Sequence, residues 1–184
     1  MTASRITPAD APYDAAIEQA FARITPPGTE PLKLFRTMAR NPRVMQRMFA
    51  GGLLDRGSIE LRDREIIILR TCARCGSEYE WGVHVAYFGK RAQFSAAEIS
   101  ATLRVPFDDA AWSARDANLI EVADELHDAA GISDPLWSRL AAHFTHEQIL
   151  ELIALAGYYH AISFVTNAAR VELEAGAARF ADYA

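Results

Sequence analysis

Cysteine is scarce in this 184-residue sequence, which contains two, Cys72 and Cys75. A pair three residues apart cannot staple distant segments together, so a disulfide framework is excluded. In a reducing compartment such a pair indicates redox or metal chemistry, unless both side chains are simply small buried hydrophobes.

Long hydrophobic runs are also missing. No stretch of eighteen apolar residues occurs, which is about what a membrane-spanning helix needs. The first residues, "MTASRITPADAPYD", lack the apolar centre of a signal peptide. We therefore expect a soluble, cytoplasmic protein that has no membrane partner.

Basic residues show no concentration along the chain. The formal net charge is −5, and the nineteen Lys and Arg residues are scattered, so no basic stripe is available to follow a phosphate backbone. A nucleic-acid partner is therefore not expected. Hydrophobic residues make up 51% of the chain and charged residues 23%, which is typical of a folded globule. The length suits one domain.

The period-two alternation of half-buried strands is absent too, whereas helical periodicity and helix caps are frequent. The sequence predicts an all-α, single-domain helical bundle, with an arm and short helix in 1–30 and the helical domain in 31–184. Residues 1–12 are expected to be loose. The predicted helices cover 13–23, 31–40, 42–54, 61–75, 77–93, a capped turn at 95–99, 108–131, 133–144 and 145–176.

A carboxylate lies on the apolar face of the helix predicted over 61–75. On a helical wheel Glu65 falls among Leu61, Ile68, Leu69 and Cys72. A buried carboxylate must find hydrogen bonds or a cation, or else keep its proton. Glu65 is therefore a candidate catalytic residue, or alternatively a structural Glu paired with an arginine of a neighbouring helix.

The next helix carries a polar face framed by aromatic rings. Glu80 and His84 lie four residues apart, so their side chains can meet. A histidine held by a carboxylate is well suited to act as a general base near neutral pH. The alternative is a solvated surface pair worth a few tenths of a kcal/mol. The remaining members of the face are Ser77 and Tyr87, with Trp81 and Phe88 beside them.

The cysteines lie in the last predicted turn before Gly76. The negative end of the helix dipole disfavours a thiolate there, so a catalytic disulfide is a secondary interpretation. Cys72 and Cys75 together with His84 match no familiar zinc spacing, and no metal site is expected. The other histidines are isolated in the sequence and are expected to be surface or core residues: His127, His143, His146 and His160.

The segment "LRDREIIILRTCARCGSEYEWGVHV" resembles the core of the carboxymuconolactone decarboxylase and alkylhydroperoxidase D-like superfamily. The likeness extends over about 40–175, and "EQILELIALAGYYHAISFVTNAARVELE" resembles its closing helix. Redox members have a glutamate, then Cys-x-x-Cys, then a histidine four residues after the second cysteine. In that register Glu65 and His84 take the glutamate and histidine positions, and Ser77 and Glu80 take the cysteine positions. Cys72 and Cys75 lie five residues too early.

The resemblance to the decarboxylase branch implies non-redox proton transfer on a small unsaturated organic acid or lactone, without a metal or organic cofactor. It also implies a homo-oligomer, such as a dimer, trimer or hexamer. His84 would move the proton, Glu80 would orient it, and Glu65 would be a second acid or a clamp on His84. Substrate contacts are expected from Ser77, Trp81, Tyr87 and Phe88.

Two alternatives remain open at this point. One is a thiol-dependent peroxidase that uses Cys72 and Cys75. The other is a non-catalytic helical binding protein that kept the fold.

Overall fold

A computed structural model describes residues 3–107 and 109–184, and this part of the chain is all-α, as predicted. It contains nine α-helices, a 3₁₀ turn at Asp109–Ala111 and another at Phe180–Asp182. The helices are α1 (Ala15–Ile24), α2 (Lys33–Met38), α3 (Pro42–Ala50), α4 (Leu61–Arg74), α5 (Glu78–Phe88), α6 (Ala96–Ala101), α7 (Ala114–Ala129), α8 (Asp134–Ala141) and α9 (His146–Ala169).

Helix α4 is the centre of the molecule. It packs against α5, α7 and α9, and its residues 65–72 are all buried. A helix that is buried on every side must satisfy its polar side chains inside the protein. Asp63 does so by accepting two bonds from Arg115 of α7, at 2.6 and 2.7 Å. Arg70 donates to both carboxylate oxygens of Asp124 of α7, at 2.6 and 2.7 Å.

Several predicted helix ends are confirmed. Ser95 and Thr145 each form a capping box, with Glu98 and Gln148 respectively. Between α4 and α5, Gly76 has a φ of +63°, a left-handed conformation that glycine adopts without strain. This short turn brings α4 and α5 side by side.

Other helix ends differ from the prediction. Helix α7 begins at Ala114, where the Ser113 hydroxyl accepts from the Asp116 N–H. The predicted start at 108 lies outside the described residues. Helix α9 ends at Ala169 and not at 176, because Arg170 turns into the left-handed region at φ 51°. The Val171 N–H then returns to the Thr166 carbonyl at 3.0 Å.

The chain after α9 folds back over α5. The Ala178 N–H donates to the Gly82 carbonyl at 3.2 Å, and a Cβ at Gly82 would lie 2.2 Å from the Ala178 oxygen. The side of α5 that carries Gly82 therefore receives the C-terminal segment, since a larger residue at Gly82 would leave no room for it. Phe180 and Tyr183 of this segment pack edge-on against Trp81.

The N-terminal arm is tied to the domain, in contrast to the loose segment predicted. The Arg5 N–H donates to the Ala169 carbonyl at 2.9 Å. Ala9 and Arg36 are joined by two bonds, through the Ala9 N–H and through the Arg36 Nε. Ile17 and Phe21 of α1 are buried against α2 and α3 side chains. The boundary between arm and domain at residue 30 stays a prediction.

Among the described residues α9 is long and apolar enough to cross a membrane, judged by length and composition. The core helix of a soluble protein passes the same test. Helix α9 packs against α4, α5, α7 and α8, and its Leu155, Tyr159 and Ser163 side chains are buried among them. Its position is that of a core helix.

Candidate active site

His84 lies at the junction of three helices. Its Nδ1 is 2.7 Å from Glu65 Oε2 of α4, and its Nε2 is 2.9 Å from the Tyr159 hydroxyl of α9. Because an ionised carboxylate only accepts, the Nδ1–H donates to Glu65 and leaves Nε2 to face Tyr159. The turn at Gly76 makes this possible, since it places the early part of α4 beside the late part of α5.

Glu65 is satisfied on both carboxylate oxygens. Oε1 accepts from Arg64 Nε at 2.9 Å, while Oε2 accepts from His84. The Arg64 guanidinium also donates to the Leu54 carbonyl at 2.9 Å and lies over the Phe88 ring, 5.1 Å from its centroid. The arginine that pairs with Glu65 is thus its own neighbour in sequence, and Glu65 contacts the histidine as well. This geometry is that of a clamp on His84.

Glu80 approaches His84 from the other side. Its Oε2 is 3.6 Å from His84 Nε2, in the i, i+4 arrangement that the sequence predicted. Burial raises the pKa of Glu80 to about 7; His84 reduces this effect and the Glu65 charge adds to it. Near neutral pH Glu80 therefore exists both as acid and as carboxylate.

The charge state of His84 depends on the two carboxylates. Burial lowers the pKa of His84, but Glu65 and Glu80 more than compensate, so the pKa lies above its usual value. Glu80 and His84, whose pKa values are both raised, lie in a nearly sealed site, in which Glu80 is 6% and His84 4% exposed. We call Glu65, Glu80, His84 and Tyr159 the His84 cluster.

Tyr159 is the member of the His84 cluster that sequence reasoning missed. Its hydroxyl is buried, and burial and the charges of Glu80 and Glu65 raise the pKa of Tyr159 well above its usual value. It therefore stays protonated and donates to His84 Nε2 when the imidazole is neutral. The sequence shows only that Tyr159 lies in the last helix, 75 residues from its partner.

The predicted substrate contacts separate into two groups. Phe88 stacks on His84, with ring centroids 5.2 Å apart and an interplanar angle of 28°. Tyr87 is 59% exposed and lines a surface hollow of about 210 Å³ together with Ala86 and residues 174–177. Contact with a substrate stays a prediction for these two residues.

Ser77 and Trp81 lie in the core, and their contact with a substrate stays a prediction. Ser77 is fully buried and its hydroxyl is 2.9 Å from Thr166 Oγ1, so it does not cap α5 with its side chain. The Trp81 indole N–H donates to Thr102 Oγ1 at 2.9 Å inside the core. Helix α5 is buried on nearly all sides over residues 79–85, so the residues beside Glu80 turn into the protein.

Tyr158 closes the His84 cluster toward α3. Its hydroxyl donates to the Met48 carbonyl at 2.8 Å, and Gly51 and Gly52 lie against its side chain. Burial, with a contribution from the nearby Glu80, raises the pKa of Tyr158 to about 12. The end of α3 thus covers the side of the cluster that Glu80 occupies.

Both thiols are free and neither lies in an activating environment. Cys72 is fully buried with its sulfur 4.0 Å from Ser163 Oγ, and burial, together with the Glu80 charge, raises the pKa of Cys72 well above its usual value. Burial also raises the pKa of the half-buried Cys75. The direction agrees with the argument from the helix dipole.

Two of the histidines that were expected to be isolated contact each other. His127 of α7 and His160 of α9 contact each other at 3.0 Å, and the Cys75 sulfur lies 3.8 Å from His127 Nδ1. Three separate helices bring them together, so no local spacing in the sequence indicates the contact.

Comparison with known proteins agrees with this fold. Residues 42–125 match the model of the Carboxymuconolactone decarboxylase family. No curated protein sequence matches the chain.

Three solved structures share the fold. An uncharacterized peroxidase-related protein from Silicibacter sp. TM1040 has a TM-score of 0.80 at 16% identity, with 98% of this chain and 99% of that chain covered. An alkylhydroperoxidase AhpD core protein from Ralstonia eutropha JMP134, also described as peroxidase-related, has a TM-score of 0.79 at 18% identity and 94% coverage of both chains. A cysteine-to-alanine variant of the debrominase Bmp8, in complex with 2,3,4-tribromopyrrole, has a TM-score of 0.70 at 15% identity, with 95% of this chain and 94% of that chain covered.

Proposed function

We propose that this chain, whose residues 42–125 match the Carboxymuconolactone decarboxylase family, is a non-redox acid–base enzyme. Its substrate is a small unsaturated organic acid or lactone, and its reaction moves a proton to or from carbon. The observation that carries the proposal is the His84 cluster, in which an imidazole is clamped by one acid at Nδ1 while a second acid with a pKa near 7 lies 3.6 Å from Nε2.

The roles follow from which atoms are already occupied. Glu65 accepts from both Arg64 and His84, so it orients the imidazole and balances its charge. Glu80 has no such pair of donors, and its pKa lets it give or take a proton near neutral pH. We therefore assign the proton transfer to Glu80, with His84 as its proton reservoir and Tyr159 as the partner of His84 Nε2.

The decarboxylation step consumes one proton, which reaches the substrate through these groups and comes finally from water. The bond between the carboxylate carbon and the ring breaks, CO₂ leaves, and the electron pair enters the conjugated carbonyl as an enolate. Protonated Glu80 then donates its proton to the carbanion carbon, protonated His84 restores the proton of Glu80, and a solvent proton restores His84 when the product leaves. A positioned acid contributes about 10²–10⁴-fold, so binding and electrostatics supply the rest.

Positive charge beside Phe88 supports an acidic substrate. The guanidinium groups of Arg64 and Arg91 both lie over the Phe88 ring, 5.1 and 5.5 Å from its centroid. Phe88 itself stacks on His84. A carboxylate held there would place its conjugated carbons near the imidazole, with Phe88 moving aside to admit it.

The test measures proton transfer directly. Carboxymuconolactone and a panel of small unsaturated acids and lactones are incubated with the protein in D₂O, and NMR follows deuterium entry at carbon while evolved CO₂ is quantified. We expect one class of compound to exchange or decarboxylate, with at least a hundredfold loss in His84→Gln and a smaller loss in Tyr159→Phe. Full turnover by His84→Gln would refute the proposal.

A hydroperoxide assay on the same preparations distinguishes the peroxidase alternative from the acid–base proposal. Consumption of an alkyl hydroperoxide that disappears in the Cys72→Ser, Cys75→Ser double variant and survives in His84→Gln would replace the acid–base proposal. The burial of Cys72 and the raised pKa of both thiols argue against that result.

The non-catalytic alternative predicts no exchange with any compound. It also predicts that a bound partner, not a substrate, occupies the His84 cluster. We propose that the enzyme is a cytoplasmic homo-oligomer. Light scattering on the protein as it elutes from a size-exclusion column measures the mass of the assembly.

A further inference from the structure

A second cluster of chemically active side chains lies where α4, α7 and α9 meet. Cys75 is the residue that ends α4, His127 lies in the last turn of α7, and His160 lies in the middle of α9. One ligand atom from each, Cys75 Sγ, His127 Nδ1 and His160 Nε2, lies within 4.8 Å of the other two. All three side chains are half-buried, so solvent reaches the cluster.

From this arrangement we propose that Cys75, His127 and His160 bind a zinc ion, with a fourth position open to solvent. Zinc takes sulfur at about 2.3 Å and nitrogen at about 2.0–2.1 Å in a tetrahedron, which sets neighbouring ligand atoms about 3.3–3.6 Å apart. The observed separations of 3.8 Å for Cys75 to His127 and 3.0 Å for His127 to His160 lie on either side of that range. The third separation, between Cys75 Sγ and His160 Nε2, is within 4.8 Å, so side-chain rotation that draws these two atoms together completes the site.

The orientation of His160 is that of a metal ligand. Its Nδ1 lies 2.8 Å from the Ala156 carbonyl, which can only accept, so Nδ1 carries the proton. Nε2 is then left with a lone pair directed at His127. Metal-binding histidines commonly hold their second nitrogen in this way, because it fixes both the tautomer and the ring.

Without an ion the three groups are incompletely matched. His127 Nδ1 faces both the Cys75 sulfur and His160 Nε2, yet it has one proton at most to share between them. A cation satisfies all three lone pairs at once, after the thiol releases its proton to water.

The surrounding charges tolerate a cation, and the ligand types favour zinc over calcium and magnesium. The neighbouring Arg74 is neutralised by ion pairs with Asp124 at 3.1 Å and Asp128 at 2.6 Å. One thiolate with two imidazoles suits zinc, whereas calcium and magnesium require oxygen ligands. The backbone is already held, since Asn167 Nδ2 of α9 donates to the Cys75 carbonyl at 2.8 Å.

The experiment uses tag-free protein stripped of metal. Co²⁺ is added as the probe, since a thiolate ligand gives a cobalt charge-transfer absorption band, and Zn²⁺ is then added to displace it. We expect the band in the unaltered protein, its loss in Cys75→Ser, and at least a tenfold weaker affinity in His160→Gln. Zn²⁺ should also raise the midpoint of thermal unfolding in the unaltered protein but not in Cys75→Ser.

Two control variants keep the test specific. Cys72→Ser removes the buried thiol one helical turn earlier, and His143→Gln removes an exposed histidine outside the cluster. Both should retain the band and the Zn²⁺ affinity. Absence of the band in the unaltered protein, or its persistence in Cys75→Ser, would overturn the proposal, and circular dichroism establishes that each variant is folded.

Discussion

Helix α4 presents polar side chains to two different neighbours, and the two sides are built from different chemistry. Toward α7, Asp63 pairs with Arg115 and Arg70 with Asp124, each through two parallel hydrogen bonds. We call these the α7 ion pairs. Toward α5 and α9, Glu65 meets His84, whose other nitrogen meets Tyr159 and Glu80.

The difference lies in how readily each side changes its protonation. An arginine keeps its charge at every physiological pH, so the α7 ion pairs join α4 to α7 without changing their protonation. The His84 cluster instead contains a glutamate with a pKa of about 7 and a histidine whose pKa is raised. Buried groups that titrate near neutrality are typical of functional sites, although structural networks also perturb pKa values.

The largest effect that separates the two sides is expected on catalysis. Glu80→Gln removes the proposed proton donor but keeps its shape, so the rate of carbon proton exchange should fall by about 10²–10⁴-fold. The free energy of unfolding at pH 8 should not fall. Rates from NMR exchange and stabilities from urea unfolding of the same preparations provide the comparison, and an unchanged rate in Glu80→Gln would contradict the assigned role.

The next effect concerns stability and lies on the α7 side. Asp124→Asn leaves the fully buried Arg70 without its charged partner, so unfolding should become easier by about 3–5 kcal/mol. The exchange rate per folded molecule should be unchanged. Asp128→Asn is the matched control, because Asp128 is 59% exposed in its pair with Arg74 and should change stability by less than about 1 kcal/mol. Equal losses in the two variants would remove the contrast.

A third effect is the pH dependence of stability. The pKa of Glu80 is about 7 in the folded protein and near its ordinary 4.5 when unfolded, so the folded state holds a proton that the unfolded state loses between these values. Stability from this group therefore falls as pH rises from 4.5 to 7, by up to about 3 kcal/mol. His84 acts in the same direction, because its pKa is also raised and its contribution is lost as pH rises through that value.

Urea unfolding at pH 5, 6, 7 and 8 measures this slope. Glu80→Gln should flatten most of it, whereas Asp124→Asn should lower stability equally at each pH. If Glu80→Gln keeps the slope of the unaltered protein, Glu80 is not buried as an acid.

Much of the architecture is local enough to be predicted. The capping boxes at Ser95 and Thr145 and the glycine turn at Gly76 depend on neighbours a few residues away, and all three are confirmed. The end of α9 is not predictable in this way, since Arg170 adopts a left-handed conformation where the sequence has no glycine or proline to end the helix. The return of the C-terminal segment over Gly82, which follows that turn, is equally absent from the local pattern.

The His84 cluster shows the same limit. The i, i+4 contact between Glu80 and His84 is visible on a helical wheel. The resemblance assigned Glu65 and His84 to the glutamate and histidine of one motif. Tyr159 comes from 75 residues away, so only tertiary packing reveals it. The contact between His127 and His160 cannot be read from the sequence for the same reason. The burial of Trp81 is equally hidden, because a wheel shows which residues share a face but not what covers that face.

The smallest expected effect tests whether Trp81 acts in the core or at the substrate site. Trp81→Phe removes one buried hydrogen bond, to Thr102, while keeping an aromatic ring against Phe180 and Tyr183. Unfolding should become easier by about 1 kcal/mol, and KM for any identified substrate should not change. Thr102→Val removes the same bond from the other side, together with the Thr102 bond to the Ile99 carbonyl, so its loss should be larger. In the double variant the losses should be less than additive, because both single changes break the shared bond. A KM that rises in Trp81→Phe but not in Thr102→Val would support a place for Trp81 at the substrate site, because the two variants lose the same hydrogen bond and differ in whether the indole ring is present.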